Sequence, residues 1–247
     1  MKKYIKNLLL YFFGKELVGL FIRWINYNKR YRSGYFGFNN IDKKLEKLLP
    51  YTDGFYVELG ANDGALASNT YFFELKKNWK GVLIEPAPNL FLSCLKRRGR
   101  NNHIFCNACV SFDYENEFVK LDYSDAMTFS SELSLDLKDG KEQLKKGEKF
   151  LMEGEKTFAF GAKAETLNNL LIKASAPNII DFLSLDVEGA ELEVLKGIDF
   201  DLFKFKYMVI ECRYINKLKI FLESKGFQLQ EKITTQDYLF AYKEVLV

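Results

Sequence analysis

Two short segments of this chain place glycines and a carboxylate where parallel strands would end. Residues 56–64 read YVELGANDG, an apolar run that passes into a turn bounded by Gly60 and Gly64. Glu85 ends the next apolar run, 21 residues after Gly64. In a doubly wound sheet, such a turn cradles a nucleotide-type cofactor, and an acid about 20 residues further on binds the ribose diol. The two segments therefore predict a nucleotide-type cofactor site.

The glycine spacing indicates which cofactor fits. A dinucleotide site needs three glycines in G-x-G-x-x-G/A, because backbone amides must close around a pyrophosphate. This loop has two glycines, and Glu58 and Asp63 beside them would repel a pyrophosphate. Acidic surroundings suit the sulfonium and ammonium groups of S-adenosylmethionine. The loop favours a methyl donor over NAD, although an ordinary strand-to-helix turn that binds nothing has the same glycines.

Four segments occur in an order that is typical of one enzyme family. They are VELGANDG at residues 57–64, SNT at 68–70, WKGVLIEP at 79–86 and LDVEGAE at 185–191. Together they resemble the signature blocks of FkbM-type S-adenosylmethionine-dependent methyltransferases. The resemblance runs from about Phe55 to Tyr242 and is weak from Ser124 to Lys163. It implies a class I methyltransferase fold and O-methylation, commonly of sugars or other hydroxylated natural products.

We expect the loop and the strand ends to hold S-adenosylmethionine. Glu85 can accept both ribose hydroxyls, and Asn62 and Asp63 lie where the methionine amine and carboxylate would bind. The resemblance places residues 68–70 at the methionine end, although Ser, Asn and Thr are also good helix N-caps. The predicted cofactor-binding set is Glu58, Gly60, Ala61, Asn62, Asp63, Gly64, Ser68, Asn69, Thr70, Glu85, Pro86, Asn107, Ala108 and Asp186.

Three carboxylates are candidates for the chemical step. Asp186 and Glu188 follow the fourth predicted strand, and Glu211 ends the fifth. An O-methyltransferase must align a hydroxyl with the methyl group and remove its proton, which a carboxylate can do. The alternative is that Asp186 only caps a helix that begins near Glu188.

Other reactive residue types carry weaker signals. Arg213 could bind a phosphate of a nucleotide-sugar or form a surface salt bridge. His103, the only histidine, precedes the third predicted strand, away from the expected methyl position. Cys106 and Cys109 form a C-x-x-C within a predicted strand, where positions three apart face opposite sides. We therefore predict no metal site.

Composition limits the partners and the compartment. Lys and Arg number 36 and Asp and Glu 33 in 247 residues, so the chain lacks the basic excess of a nucleic-acid-binding protein. Four cysteines in a chain of this size do not indicate a disulfide framework. We expect a cytoplasmic protein that acts on a small hydroxylated molecule.

The N-terminal segment is distinct. Residues 1–32 contain eight Lys or Arg and only one acid, and residues 4–27 are rich in Leu, Phe and other apolar residues. Its longest uncharged run, 7–14, is too short to span a bilayer, and no signal-peptide cleavage site follows. We predict an amphipathic helix that contacts the catalytic domain or a second subunit, or that lies on the inner membrane surface. We expect it to leave cofactor binding intact.

The order of apolar patterns predicts an α/β chain with a Rossmann-like, mainly parallel seven-stranded sheet, a C-terminal antiparallel hairpin and an N-terminal helical extension. The hairpin is predicted because only four residues join the last two strand patterns, too few for a parallel crossover. We place the extension at residues 1–50, the methyltransferase domain at 51–247 and an inserted loop or cap at 124–163. The predicted strands are 55–59, 82–84, 104–110, 115–121, 182–185, 207–211, 227–233 and 238–243, and the predicted helices are 41–49, 70–77, 89–98, 165–173, 190–195 and 217–225.

The sequence thus favours an O-methyltransferase for a sugar, a nucleotide-sugar or a surface glycan precursor. One alternative is an NAD-dependent sugar-modifying Rossmann enzyme, which would need a third glycine and usually a Tyr-x-x-x-Lys pair that the chain lacks. The other is a non-catalytic, membrane-docked scaffold with the same fold. The acids at 58, 85 and 186 argue against a scaffold.

Overall fold

The computed structural model describes residues 28–134, 140–151 and 155–246. Residues 28–33 are helical. The helices that follow are α1 (Ile41–Leu48), α2 (Tyr71–Lys77), α3 (Pro88–Arg98), α4 (Gly140–Gly147), α5 (Leu167–Lys173), α6 (Glu191–Lys196) and α7 (Ile215–Ser224). The strands are β1 (Phe55–Leu59), β2 (Lys80–Ile84), β3 (His103–Phe105), β4 (Ala108–Val110), β5 (Phe118–Tyr123), β6 (Phe158–Thr166), β7 (Ile179–Leu185), β8 (Lys204–Glu211), β9 (Phe227–Lys232) and β10 (Asp237–Tyr242).

Seven strands form the main sheet, in the order β3-β2-β1-β7-β8-β10-β9. The first five are mutually parallel. β10 runs antiparallel to both β8 and β9, so the last two strands form the predicted hairpin. This order, with a reversed strand inserted beside β8, is the class I methyltransferase arrangement that the sequence predicts, and the predicted fold class is confirmed.

The predicted strand 104–110 is two strands. β3 pairs with β2 over three residues and stops opposite Ile84, where β2 itself ends. Beyond that point the main sheet offers no partner, and a strand needs one for its backbone amides. The chain therefore leaves the sheet at Cys106, and β4 joins a second, three-stranded sheet in the order β4-β6-β5.

The segment predicted as an inserted loop or cap, 124–163, contains regular structure. It includes a short 3₁₀ turn at Asp125–Met127, helix α4 and most of β6, which runs antiparallel to β5 and parallel to β4. The predicted helix start at Glu165 is also wrong, because residues up to Thr166 belong to β6. The Thr166 side chain caps α5 by accepting a hydrogen bond from the amide of Asn169.

Helices cover both faces of the main sheet. On one face, α5, α6 and α7 pack through Leu171, Leu195 and Leu222 against alternate residues of β1, β7 and β8. On the other, α1 and α2 contribute Leu45 and Phe73 to a cluster with the opposite side chains of those strands. Helix α1 therefore packs into the core of the domain.

No helix within the described residues is both long enough and apolar enough to cross a membrane. The predicted helix over residues 4–27 lies outside the described residues, and so does most of the basic N-terminal segment. Both remain predictions.

Candidate active site

The carboxyl ends of the parallel strands meet at one edge of the main sheet. Leu59 pairs with Ile84 on one side and with Leu185 on the other, so the loops after β1, β2 and β7 start side by side. Gly60 begins the first loop with φ +76°, and a Cβ there would lie 2.0 Å from the backbone oxygen of Asp186. Only glycine allows this close approach of the two loops.

These loops enclose an open cleft whose empty space, including the part open to solvent, is about 790 Å³. The predicted site residues that line it are Glu58, Gly60, Asn62, Ser68, Asn69, Glu85, Pro86, Asp186 and Glu188. Those that do not are Ala61, Asp63, Gly64, Thr70, Asn107, Ala108 and Glu211. The structure thus brings most of the predicted cofactor set into one place.

Glu85 lies buried at the end of β2 and is held by the backbone. One carboxylate oxygen accepts the amide of Asn62 at 2.8 Å, and the other accepts the amide of Ala87 at 2.9 Å. Each oxygen keeps a second acceptor site, so two hydroxyls of a diol could bind side by side. Burial raises the pKa of Glu85 to about 7, the backbone hydrogen bonds oppose this, and the charge of Asp125 adds to it.

Glu58 has a structural role in addition to its place in the cleft wall. Its carboxylate accepts the amide of Asn69 at 3.0 Å and the hydroxyls of Ser68 and Thr70 at 2.9 and 2.7 Å. Arg98, fully buried on α3, completes the set with an ion pair at 3.0 Å. Glu58 and Arg98 therefore fix the far end of the cofactor loop, by which we mean residues 60–70.

The near end of the cofactor loop is fixed by Asp63. Its side chain accepts the amides of Ala65 and Leu66 at 2.9 and 2.7 Å and pairs with Arg97 at 3.2 Å. Ser68 accepts the amide of Tyr71 at 3.1 Å, so the predicted capping of α2 is made by this serine. Asp63 and Ser68 both shape the loop through hydrogen bonds within it.

Asp186 lines the cleft, and Glu211, which lies outside the lining, is hydrogen-bonded to it. Asp186 is exposed where it faces the cleft. Although one side of Asp186 is open to the cleft, the protein around it disfavours its charged form, and this desolvation and then the charge of Glu211 raise the pKa of Asp186 above its usual value. Burial raises the pKa of Glu211 to about 7. Two carboxyls can hydrogen-bond only if they share a proton, so the pair titrates as a unit.

Glu188 is already engaged by two partners. Its carboxylate pairs with Arg213 at 2.5 Å and accepts the side-chain amide of Gln143 at 2.8 Å. Burial raises the pKa of Glu188, and Arg213 opposes this. Arg213 is thus held in an ion pair, and Gln143 attaches α4 to the loop after β7. The helix after this loop starts at Glu191 with no side-chain cap, so Asp186 does not cap it.

Several residues considered from the sequence lie elsewhere. Asn107 follows β3 and donates to the backbone oxygen of Lys163 at 3.1 Å, and Ala108 lies in the second sheet. His103 begins β3 near the edge of the main sheet. All four cysteines, including Cys106 and Cys109, have free thiols. No group of three or more His, Cys, Asp or Glu in the described ranges is arranged to hold a metal ion.

Two features of the site were not predicted. The turn Asp125–Thr128 forms part of the cleft wall, and the Asp125 carboxylate lies 3.3 Å from the side-chain amide of Asn62. Asp125 has φ +56°, an uncommon conformation outside glycine. Arg98 was missed because a basic residue at the end of a helix usually faces solvent. The sequence did hold one signal of its burial: Arg98 comes four residues after Cys94, so both lie on the same face of the helix, and Cys94 is buried.

Comparison with known protein families gives one match. The family model described as "Methyltransferase FkbM domain" matches residues 58–236, which is more than half of the chain. The chain belongs to the FkbM methyltransferase family. Its cofactor is S-adenosylmethionine. Among curated proteins, no sequence matches the chain.

Solved structures similar to this FkbM-family chain are distant. The METTL16 MTase domain shares 13% identity over 82% of this chain, with a TM-score of 0.44. The alignment covers 66% of that domain's chain, slightly under two thirds of its length. Precorrin-6y C5,15-methyltransferase from Geobacter metallireducens shares 13% identity, covering 83% of this chain and 88% of its own, with a TM-score of 0.40. TrmK from M. capricolum, in complex with S-adenosyl-homocysteine, shares 12% identity with a TM-score of 0.39, and the alignment covers 82% of this chain and 65% of the TrmK chain.

The cleft of this FkbM-family chain fits its cofactor chemically. Glu85 offers two acceptor positions for a ribose diol, as described above. Among the described residues, the other charged side chains that line the cleft are all acids: Glu58, Asp125, Asp186 and Glu188. This environment attracts the sulfonium and ammonium groups of the methyl donor.

Proposed function

We propose that this protein is an S-adenosylmethionine-dependent O-methyltransferase that methylates a hydroxyl of a sugar or a similar small polyol. The observation that carries the proposal is the carboxyl pair Asp186–Glu211, of which Asp186 lines the cofactor cleft. Such a pair can accept a hydroxyl proton at neutral pH, because an effective base has a pKa near the working pH.

Cleft charge favours an acceptor without phosphate. Each charged side chain among the described residues that line the cleft is a carboxylate. Arg213, the candidate phosphate ligand, is paired with Glu188. A nucleotide-sugar would bring its phosphates towards these acids, and the described residues of the lining include no cation to compensate for the repulsion. Neutral sugars, including a glycan precursor without phosphate near the acceptor hydroxyl, are therefore the preferred acceptors.

Proton transfer follows from the shared proton. Above the pKa of the pair, Asp186 keeps its proton and donates it to ionised Glu211, so the pair carries one negative charge. S-adenosylmethionine supplies the methyl group when bound. As the acceptor oxygen takes that methyl group, the sulfur–methyl bond would break and leave S-adenosylhomocysteine, and the acceptor proton would pass to Asp186 while the shared proton moves to Glu211. Both carboxyls are then neutral, and one proton is released to solvent before the next turnover.

The remaining residues position the reactants. Glu85 and the cofactor loop hold the methyl donor at one side of the cleft, and Asp186 lies beside Gly60, where the two loops touch. Glu188 stays bonded to Arg213 and Gln143 and keeps the loop after β7 and helix α4 together. We therefore assign the base to the Asp186–Glu211 pair.

The test is methyl transfer from isotope-labelled S-adenosylmethionine to a panel of neutral sugars, matched nucleotide-sugars and short RNAs, detected by mass spectrometry. We expect labelled methyl ethers of neutral sugars. Asp186→Asn should lower kcat about 10²- to 10⁴-fold, the usual effect of losing a general base. Glu193→Gln, which removes a carboxylate that pairs with Lys196 on the surface of α6, is the matched control. Methylation of RNA alone, or full activity of Asp186→Asn, would contradict the proposal.

A further inference from the structure

The cofactor loop is supported from behind by residues that precede the family-matched region. Leu66, Ala67, Ser68 and Asn69 line the cleft on one side. On the other side, Gly37 forms a parallel bridge with Ala67. A Cβ on Gly37 would lie 2.8 Å from the side-chain oxygen of Asn69, so the two segments touch without space for a larger residue. The loop is thus packed between the cleft and the segment 30–42, which we call the support segment.

Asp42 determines the shape of the support segment. Its side chain is fully buried and accepts the backbone amides of Phe36 and Gly37. It also accepts the amide of Lys43, in the first turn of α1. Because Leu45 of α1 is buried in the core, Asp42 connects this helix to Gly37, the residue that bridges to the cofactor loop.

Further contacts hold the support segment against the start of α2. Phe36 forms a buried cluster with Ala65 and Tyr71, which lie on either side of the part of the loop that lines the cleft. Tyr31 hydrogen-bonds to the Tyr71 hydroxyl at 3.0 Å. Arg30 donates to the backbone oxygen of Phe36 at 2.7 Å. The segment is therefore attached at both ends of the part of the loop that lines the cleft.

The backbone of the cofactor loop needs such support. Ala67 has φ +55°, in the left-handed region where the Cβ of an L-residue is crowded. A residue holds this conformation only if its surroundings enforce it. Ala67 is the residue that pairs with Gly37, so the support segment acts where the loop is strained.

We propose that Asp42 is a positioning residue for S-adenosylmethionine and that the support segment holds the cofactor loop in the shape that binds the cofactor. The inference rests on the cleft being the cofactor site and is independent of which acceptor is methylated. Cofactor affinity then depends on residues 30–42, and any event that moves this segment changes affinity without touching the cleft.

The experiment measures the Kd for S-adenosylhomocysteine by calorimetry, kcat at saturating cofactor, and urea unfolding. Asp42→Ala should raise this Kd at least tenfold while kcat stays within about threefold. Asp42→Asn can turn its carbonyl oxygen towards the same two amides and should recover most of the affinity. Leu222→Ala, a fully buried truncation on the opposite face of the sheet, is the control for lost stability.

The outcomes separate positioning from general destabilisation. An unchanged Kd in Asp42→Ala, or an equal rise of the Kd in Leu222→Ala, would overturn the proposal. If Asp42→Ala does not fold, Arg30→Ala removes one contact of the segment and should raise the Kd about threefold, and no rise there would also overturn it. Failure of sugar methylation would refute the proposed function and leave this binding test unaffected.

Discussion

Replacing Glu85 by Gln tests the cofactor site most directly. In the native protein, each carboxylate oxygen accepts one backbone amide, from Asn62 or Ala87, and keeps one acceptor position for a ribose hydroxyl. Glutamine has one oxygen and one NH₂ group, so it cannot accept both amides and both hydroxyls. At least one hydrogen bond to a charged group is lost, worth about 1.5–3 kcal/mol. The Kd for S-adenosylhomocysteine should therefore rise about 10- to 150-fold.

The pKa of Glu85 adds a pH dependence with a defined sign. In the ligand-free protein its pKa is about 7, because burial disfavours the charge. Bonds from two hydroxyls favour the charged form, so the bound protein has a lower pKa. Affinity should then be full above pH 7 and fall as the pH drops below 7, by at most about tenfold per unit. In Glu85→Gln this part of the pH dependence should disappear.

Calorimetry with S-adenosylhomocysteine between pH 5.5 and 8 measures both effects. Glu191 and Glu211 also have pKa values of about 7, raised by burial, so the profile of Glu85→Gln must be subtracted from that of the wild type. Glu193→Gln controls for the loss of one charge outside the cleft. An unchanged Kd at pH 8 in Glu85→Gln, or identical pH profiles for this variant and the wild type, would remove Glu85 from the binding site.

Three further predictions concern charge in and around the cleft. Arg98→Met leaves Glu58 buried without its cation, so urea denaturation should show a loss of about 3–5 kcal/mol in the free energy of unfolding. Arg97→Met is the control: it breaks the more exposed pair with Asp63 and should lower the free energy of unfolding by about 0–1 kcal/mol. Asp125→Asn removes a like charge that raises the pKa of Glu85, so the loss of cofactor affinity at acid pH should begin at a lower pH. The kcat should rise with pH through about 7, as the Asp186–Glu211 pair loses a proton, and a flat profile would argue against this base.

Local patterns in the sequence were sufficient to predict the strand ends of the site. Gly60, Glu85 and Asp186 each follow an apolar run directly, and parallel strands bring their carboxyl ends to one edge. The hairpin β9–β10 was predicted because its four-residue link permits no other connection. Such features depend on residues that are close in sequence, so periodicity and turn residues reveal them.

Features that depend on distant pairing were missed. β6 contains one glycine, three alanines and one lysine, and it becomes a strand by pairing with β4 and β5. Asp125 reaches the cleft only because this second sheet places its turn there. The contact of Arg30, in the N-terminal segment, with the backbone of Phe36 was also not predicted. Whether such a segment forms a strand depends strongly on its tertiary contacts, and local sequence patterns do not reveal these contacts.

Glu58 and Glu85 show how neighbouring groups give two similar acids different roles. Both lie at or near the carboxyl ends of adjacent parallel strands, and both are buried. Glu58 is neutralised by Arg98 and bonded within the protein, so its charge is stabilised before any ligand binds. Glu85 is held by two backbone amides, and its pKa is about 7. Its charged form gains further stabilisation when hydroxyl donors and a cationic ligand arrive. The residue with the less compensated charge in the free protein is therefore the one that can contribute most to binding.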